Sequence, residues 1–448
     1  MIRKVQSQSD PDRIRPPQTH VCGAPNQTDS RNGLLDRVEF YAAAAVVFFS
    51  PINLLRLPFF YFTLSDGFAC ISLMLLLITG RLNLLPIGRV WTVMWMSGLA
   101  TLLAMLLFSS LLHADPMRGL VYALQYFFAY GVILVILGGR SERELHLFAK
   151  AYVLCIILMC LYGIYLINID DQRNTAFVTG SGRFTGFVER ENECAALIAL
   201  TSPLLMLLVA VRQWPKVALL GVAIMAYGVM LTGSNTGLGS FALVVSIFAL
   251  IIADWKVLVP AGASVGAIVL MIDQFGRDYL PAAFQRRVLG ALENGDISEA
   301  GSFDHRVELI REAIGLTGNT ALFGMGADQY AVHSFIQQPV HNLYLLLWTE
   351  GGFLCMLGFV VMLTAGFGPA IAAWKVPNGR VYAACTMCMV GLFLAAVNAF
   401  PSVYGRFWIV PLALSMSMSC AVSRRTGYEQ GLIVYGLRSG PSSTGASG

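Results

Sequence analysis

The chain has 448 residues, of which 56% are hydrophobic and only 12% charged, and its formal net charge is +4. Soluble domains carry about 25% charged residues, so water is a poor solvent for this chain and a lipid bilayer is a fitting one. Nothing resembles a nucleic-acid module, so no nucleic-acid partner is expected, and the nine cysteines are scattered through apolar segments rather than arranged as a disulfide framework.

Residues 1–36 are polar, rich in Pro, Asp, Arg and Gln, and lack the apolar centre of a secretory signal. They read as a disordered cytoplasmic tail. A spanning helix needs about 20 apolar residues. That ruler places candidates near 39–54, 61–79, 90–112, 119–138, 151–168, 193–211, 217–233, 237–253, 257–273, 353–373, 381–399 and 403–422. The expected fold class is therefore an all-α polytopic membrane protein of about 12 transmembrane helices. Residues 37–273 hold the first nine spans, 274–340 form a large periplasmic loop, 341–422 hold the last three spans, and 423–448 are a second disordered cytoplasmic tail.

Orientation follows from the positive-inside rule. With the N-terminus cytoplasmic, the inner loops carry most of the basic residues, among them Arg81, Arg140, Lys150, Lys216, Lys256 and Lys375, whereas the short outer loops carry only Arg56, Arg118 and Arg406. The chain is expected to be N-in and C-in. All five lysines fall on the inner side, and the outer loops 169–192 and 274–340 use arginine alone. Arginine's planar fork grips phosphate oxygens and stays charged when partly dehydrated. An outer site for a phosphorylated substrate would use that property; arginines that merely solvate loops would give the same count.

The loop 274–340 is too long for a bare connector. Within it SFDHRVELIREAIGLTGN has helical spacing of Phe303, Val307, Ile310 and Ile314, with Ser302 as a start signal and Gly315 or Gly318 as a stop. Arg306 and His305 then fall near the edge of the apolar stripe.

Two stretches gather polar groups at a membrane boundary. GRFTGFVERENECAALIAL packs Arg183, Glu189, Arg190, Glu191 and Asn192 just before a span. Each charge placed in hydrocarbon costs about 2.5–3.5 kcal/mol, so the cluster faces either a wet cavity or its own salt-bridge partners. In PVHNLYLLLWTEGGFLCMLG, His341 and Asn342 stand where the long loop enters an apolar helix. The histidine can act as a general base near neutrality; the pair can equally be a helix cap. Glu350 lies nine residues on, a rise of about 13.5 Å and half a turn out of phase, so it should not touch His341; with Gly351 and Gly352 it marks a helix break. No nucleotide loop, nucleophile elbow or metal-ligand spacing is present, and no cofactor or metal is expected.

Taken in order, GRFTGFVEREN, LTGSNTGLGSFALVVS, DHRVELIREAIGLTGNTALFGMGADQY and VHNLYLLLWTEGGFLCMLGF resemble the O-antigen polymerase and O-antigen ligase family of bacterial envelope proteins. The resemblance covers roughly residues 40–422. The chain departs from the family pattern at Asn235, where arginine is common, and at Glu191, where proline is common. The resemblance implies a glycosyltransferase of the inner membrane that moves a glycan from a polyprenyl-pyrophosphate carrier to a sugar hydroxyl, without metal, at a site facing the periplasm. It implies a polymerase for an exopolysaccharide or O-antigen, or a ligase acting on a lipid core. Its partners would be the lipid-linked oligosaccharide and the bilayer, with chain-length regulator and flippase proteins as companions. By the same carry-over His341, Arg306 and Arg183 are catalytic, and Asn342, Glu350, Arg190, Asn192 and Arg406 bind substrate. A flippase or transporter is the reading of another class, but it should show internal repeats and midplane charges, and no repeat is visible.

Overall fold

The computed structural model describes residues 33–57, 61–113, 115–252, 281–285, 287, 303–318, 321–401 and 403–434, with isolated residues 259, 262 and 266. The span expected near 257–273 falls almost wholly outside them, as do Ser302, Arg277 and Arg286. Among the described residues the fold is 74% helical with almost no sheet. In chain order its helices are α1 (Gly33–Phe49), α2 (Leu64–Ile78), α3 (Arg89–His113), α4 (Pro116–Leu137), α5 (Glu142–Ile169), α6 (Glu191–Ala210), α7 (Pro215–Thr232), α8 (Asn235–Ile252), α9 (Phe303–Thr317), α10 (Leu343–Gly351), α11 (Phe353–Trp374), α12 (Arg380–Ala396) and α13 (Arg406–Val434).

Among the described residues seven helices are long and apolar enough to cross a membrane: α3, α4, α5, α6, α8, α11 and α13. Shorter apolar helices fill α2, α12 and most of α7. Helix α6 is the axis of the bundle. Fully 94% of its apolar stretch is buried, against 33% for α8, so α6 is surrounded by protein and α8 leaves most of its side chains uncovered. Helices α3 and α11 pack closely at Gly98 and Gly358, where an added Cβ would stand 2.5 and 2.8 Å from the opposite carbonyl oxygen, the close backbone approach that small residues allow between membrane helices.

Charges are sorted between the two ends of the bundle. At one end Arg140, 8% exposed, pairs with buried Glu39, whose carboxylate also accepts from Ser72 Oγ at 2.7 Å. At that end too, Arg81 pairs with Asp36, Arg425 with Glu142, and Lys150 Nζ donates to Gln213. The opposite end carries the turns α1–α2, α3–α4, α5–α6 and α7–α8, the entry to α10, and the α12–α13 connection.

That second end differs from expectation at two places. The stretch expected to begin a span at residue 61 instead forms a hairpin, β1 (Arg56–Leu57) against β2 (Phe62–Thr63), with Arg56 opposite Thr63. Thr63 then caps α2 in a reciprocal capping box with Asp66, leaving a span of only 15 residues. Helix α9 exists and stops just before Gly318, but its inward face is Leu309 and Ala313, both fully buried, whereas Ile314 is 55% exposed. The face is therefore rotated from the expected stripe, toward Arg306.

Candidate functional site

The site is built on the segment 178–192 between α5 and α6. Val178 and Phe184 form an isolated antiparallel bridge. Phe184 is fully buried against Gly163 of α5, where an added Cβ would stand 2.6 Å from its ring. Its backbone N–H donates to Leu231 O of α7 at 3.0 Å. With Phe184 pinned, Arg183 is directed at the end of α7: Nε donates to Thr232 O at 2.7 Å, Nη2 to Asn192 Oδ1 at 3.1 Å, and Nη1 pairs with Glu191 at 2.7 Å. Burial first, then the nearby Arg287 guanidinium, lowers the Arg183 pKa to about 10, against the opposing pull of Glu191.

Arg287 was not singled out from the sequence. Its carbonyl accepts from Asn235 Nδ2 at 3.3 Å, so the single turn Thr232–Asn235 holds both the Arg183 side chain and the Arg287 backbone. Arg287 also lowers the pKa of Arg306, after the larger effect of burial. The signal was the Asn235 departure from the family pattern, but a spacing of 52 residues through a loop could not show which group answers it.

Arg306 lies half-buried on the inward face of α9. Among the described residues no carboxylate pairs with it. Helix α9 is pinned by Glu312, which accepts from Ser334 Oγ at 2.8 Å and Phe335 N at 2.9 Å, and by Tyr330, whose hydroxyl donates to Leu309 O at 3.0 Å.

His341 immediately precedes the cap of α10. Asn342 is that cap: its Oδ1 accepts from Leu345 N at 3.1 Å, and its Nδ2 donates to Asn398 Oδ1 at 3.1 Å. Both ends of the amide are thus engaged, and they fix the backbone that carries the imidazole. His341 Nδ1 is buried and has no hydrogen-bond partner among the described residues. Burial lowers the pKa of the ring to about 4, helped by Arg306, Arg190 and His305 in that order. The imidazole is consequently neutral at pH 7, and three cations or potential cations lie within electrostatic reach of it.

Glu350 is where the spacing argument put it, away from His341. It is 6% exposed, and its Oε1 accepts from Tyr330 N at 3.3 Å. Its carbonyl accepts from Ser109 Oγ at 2.6 Å and Gly326 N at 2.9 Å. Gly324 and Gly352 have φ of 62° and 85°, and a Cβ on either would strike the facing carbonyl at 2.2 or 2.1 Å. The GMG turn and the EGG break are one interlocked joint that seats the loop on the bundle. Arg406, 4% exposed, is likewise committed within the fold, to Asp66, to Gln125 Oε1 at 2.9 Å and to Tyr404 O at 2.6 Å. Of the eight candidates, then, the structure brings Arg306, Arg190 and His341 within electrostatic reach of one another, and Arg183 with Asn192 is linked to Arg306 through Arg287. Asn342 positions the imidazole, and Glu350 and Arg406 are held by other parts of the fold.

Residues 220–360 match the family model described as O-antigen ligase. Over those residues the chain is similar to an O-antigen ligase domain. Members of this family are glycosyltransferase-like enzymes, ligases and polymerases, and the domain supports a glycan-transfer role. The match takes in Asn235, Arg287, Arg306, His341, Asn342 and Glu350, and leaves Arg183, Arg190, Asn192 and Arg406 outside it. Among curated proteins none matches the chain.

Proposed function

We propose that this protein is a membrane glycosyltransferase that moves a glycan from a polyprenyl-pyrophosphate carrier to a hydroxyl of a second lipid-linked repeat unit, as a polysaccharide polymerase of the inner membrane. The observation that carries the reading is Arg306: a half-buried guanidinium without a carboxylate partner among the described residues, beside a neutral imidazole whose Nδ1 is unpartnered. A cation so placed is stabilised by an anion from outside the chain, and a pyrophosphate offers paired oxygens to its fork.

In the proposed step the acceptor hydroxyl oxygen attacks the anomeric carbon of the donor sugar. The bond from that carbon to the pyrophosphate oxygen breaks, with inversion. The hydroxyl proton passes to His341, and polyprenyl pyrophosphate leaves with the electron pair. Arg306 and Arg183 meet the charge that grows on the leaving group, the kind of preorganised stabilisation that commonly dominates catalysis. The low basicity of the free imidazole suits this order of events. A bound pyrophosphate offsets Arg306 and Arg190, and so raises the histidine pKa toward a useful range only once donor is present.

The end away from the site carries Lys150 together with Arg81, Arg140 and Arg425, which supports an N-in, C-in arrangement with the site facing the periplasm. The matched domain's description favours one other reading, transfer of the glycan to a lipid core by a ligase. Reconstitution in liposomes with a lipid-pyrophosphate repeat unit separates them. A ladder of lengths on the polyprenyl carrier is expected, and it should vanish in His341→Ala and in Arg306→Lys. Normal polymer from both variants would refute the assignment; product found only on an added lipid core would make the protein a ligase.

A further inference from the structure

A cavity of about 190 Å³ opens beside this site, between the β1–β2 hairpin, the start of α6 and the α12–α13 connection. One water needs roughly 10–15 Å³, so the space is large enough for a solute. Its lining pairs aromatic faces with hydrogen-bonding groups: Tyr61, Tyr404 and Trp408 with Asn53, Arg190 and Glu193. Trp408 Nε1 is buried with no hydrogen-bond partner among the described residues. The buried Arg406, bound to Asp66 and Gln125, completes the wall as an already neutralised group. Arg190 joins the two places. Its Nε lies 4.0 Å from Glu193 Oε1 within the cavity lining, and the same guanidinium depresses the basicity of His341.

We infer that this cavity is the acceptor subsite, holding a hydroxyl-rich sugar ring of the incoming glycan against Tyr61 and Glu193 with its reactive hydroxyl toward His341. The inference rests on the transfer reading and adds a location to it. A pyranose presents apolar C–H faces to aromatic rings and a rim of hydroxyls that donate to a carboxylate and accept from a guanidinium. With Arg406 already matched by Asp66, the balance of Arg56 and Arg190 against Glu189 and Glu193 suits a neutral ligand better than a second pyrophosphate.

The test uses full-length protein in nanodiscs and two probes: farnesyl pyrophosphate, and the soluble oligosaccharide released from the lipid-linked repeat unit by mild acid. Glu193→Gln and Tyr61→Asn are expected to weaken oligosaccharide binding by about tenfold each, the effect of one lost hydrogen bond or stacking face. Affinity for farnesyl pyrophosphate should stay as in the parent protein. Tyr61 is 43% exposed with φ of 49°, a conformation asparagine tolerates, so this variant still decides if Glu193→Gln does not fold. Unchanged oligosaccharide affinity in the folded variants would overturn the inference while leaving the transfer reading intact. Parallel loss of both probes would also overturn it, by making the cavity part of the pyrophosphate site. The transfer reading fails on a different measurement, parent protein that leaves the repeat unit unextended in liposomes, and the subsite falls with it.

Discussion

Arg183 and Arg306 are assigned to the same pyrophosphate, yet the fold treats them in opposite ways, and glutamine at each position separates binding from stability. Arg183 has a side chain 9% exposed and donates to Thr232 O, Asn192 and Glu191. Arg183→Gln leaves the Thr232 carbonyl without its donor, a loss of about 1–3 kcal/mol. It also breaks an ion pair. A fully buried pair broken this way costs about 3–5 kcal/mol, but Glu191 keeps contact with solvent at 23% exposure, which reduces that contribution. A net destabilisation of about 2–4 kcal/mol follows. Arg306→Gln removes a half-buried cation that repels Arg287, so stability should hold or rise, within about 1 kcal/mol because solvent screens the charge. Each variant should nevertheless lose about 10- to 150-fold in affinity for farnesyl pyrophosphate, the worth of one charge-assisted hydrogen bond. Thermal unfolding in nanodiscs read beside ligand binding gives both numbers. If Arg306→Gln unfolds as early as Arg183→Gln, or binds farnesyl pyrophosphate as the parent does, Arg306 is a structural residue and the reasoning is refuted.

The His341 imidazole should titrate near pH 4 in the free protein and move upward when farnesyl pyrophosphate binds, as followed by NMR of labelled histidine. Because an unfolded chain takes up that proton near pH 6.5, unfolding binds protons; the stability due to neutral His341 is complete above pH 6.5 and lost as pH falls from there toward 4, and His341→Gln should flatten the stability curve across that window. Glu39→Ala strands Arg140 in the core at the far end of the bundle and should destabilise by about 3–5 kcal/mol, with pyrophosphate affinity in the surviving folded protein unchanged. Gly98→Ala places a methyl 2.5 Å from the Gly358 carbonyl oxygen and should push α3 from α11 at a cost of about 1–3 kcal/mol, visible as a lower unfolding temperature.

The long spans were legible because lipid imposes one rule on every residue along them. The expected 90–112 and 119–138 correspond to Arg89–His113 and Pro116–Leu137. Where a helix runs beyond the apolar stretch the rule is silent: α5 begins at Glu142 rather than near 151, because Ser141 and Glu144 close a capping box in a polar segment. The hairpin at Arg56–Thr63 was hidden for a similar reason, since two-residue strands have no period to read. On α9 the spacing of Val307, Ile310 and Ile314 promised one face, but the surface it packs against selected Leu309 and Ala313. Helical periodicity offers neighbouring stripes; the partner chooses between them.

The candidate site shows a deeper limit. A sequence displays how many guanidiniums one end of a bundle holds, but not how many remain for a ligand once the fold has taken its share. Arg406 is matched by Asp66, Arg56 by Glu189, and Arg183 by Glu191, the residue that stands where the family pattern has proline. Among the described residues Arg306 has no such carboxylate, and it sits on a helix whose position is set by Glu312 bonding to the 330–335 segment rather than to the arginine itself. Glu312 anchors the helix so that the neighbouring arginine does not have to. A cation held in place by its scaffold and not by a counter-charge retains its attraction for an anion, and the neutral histidine beside it then has a proton to take only when a hydroxyl is brought there. The physical division of labour is therefore between arginines that close the fold and Arg306, which no carboxylate among the described residues pairs.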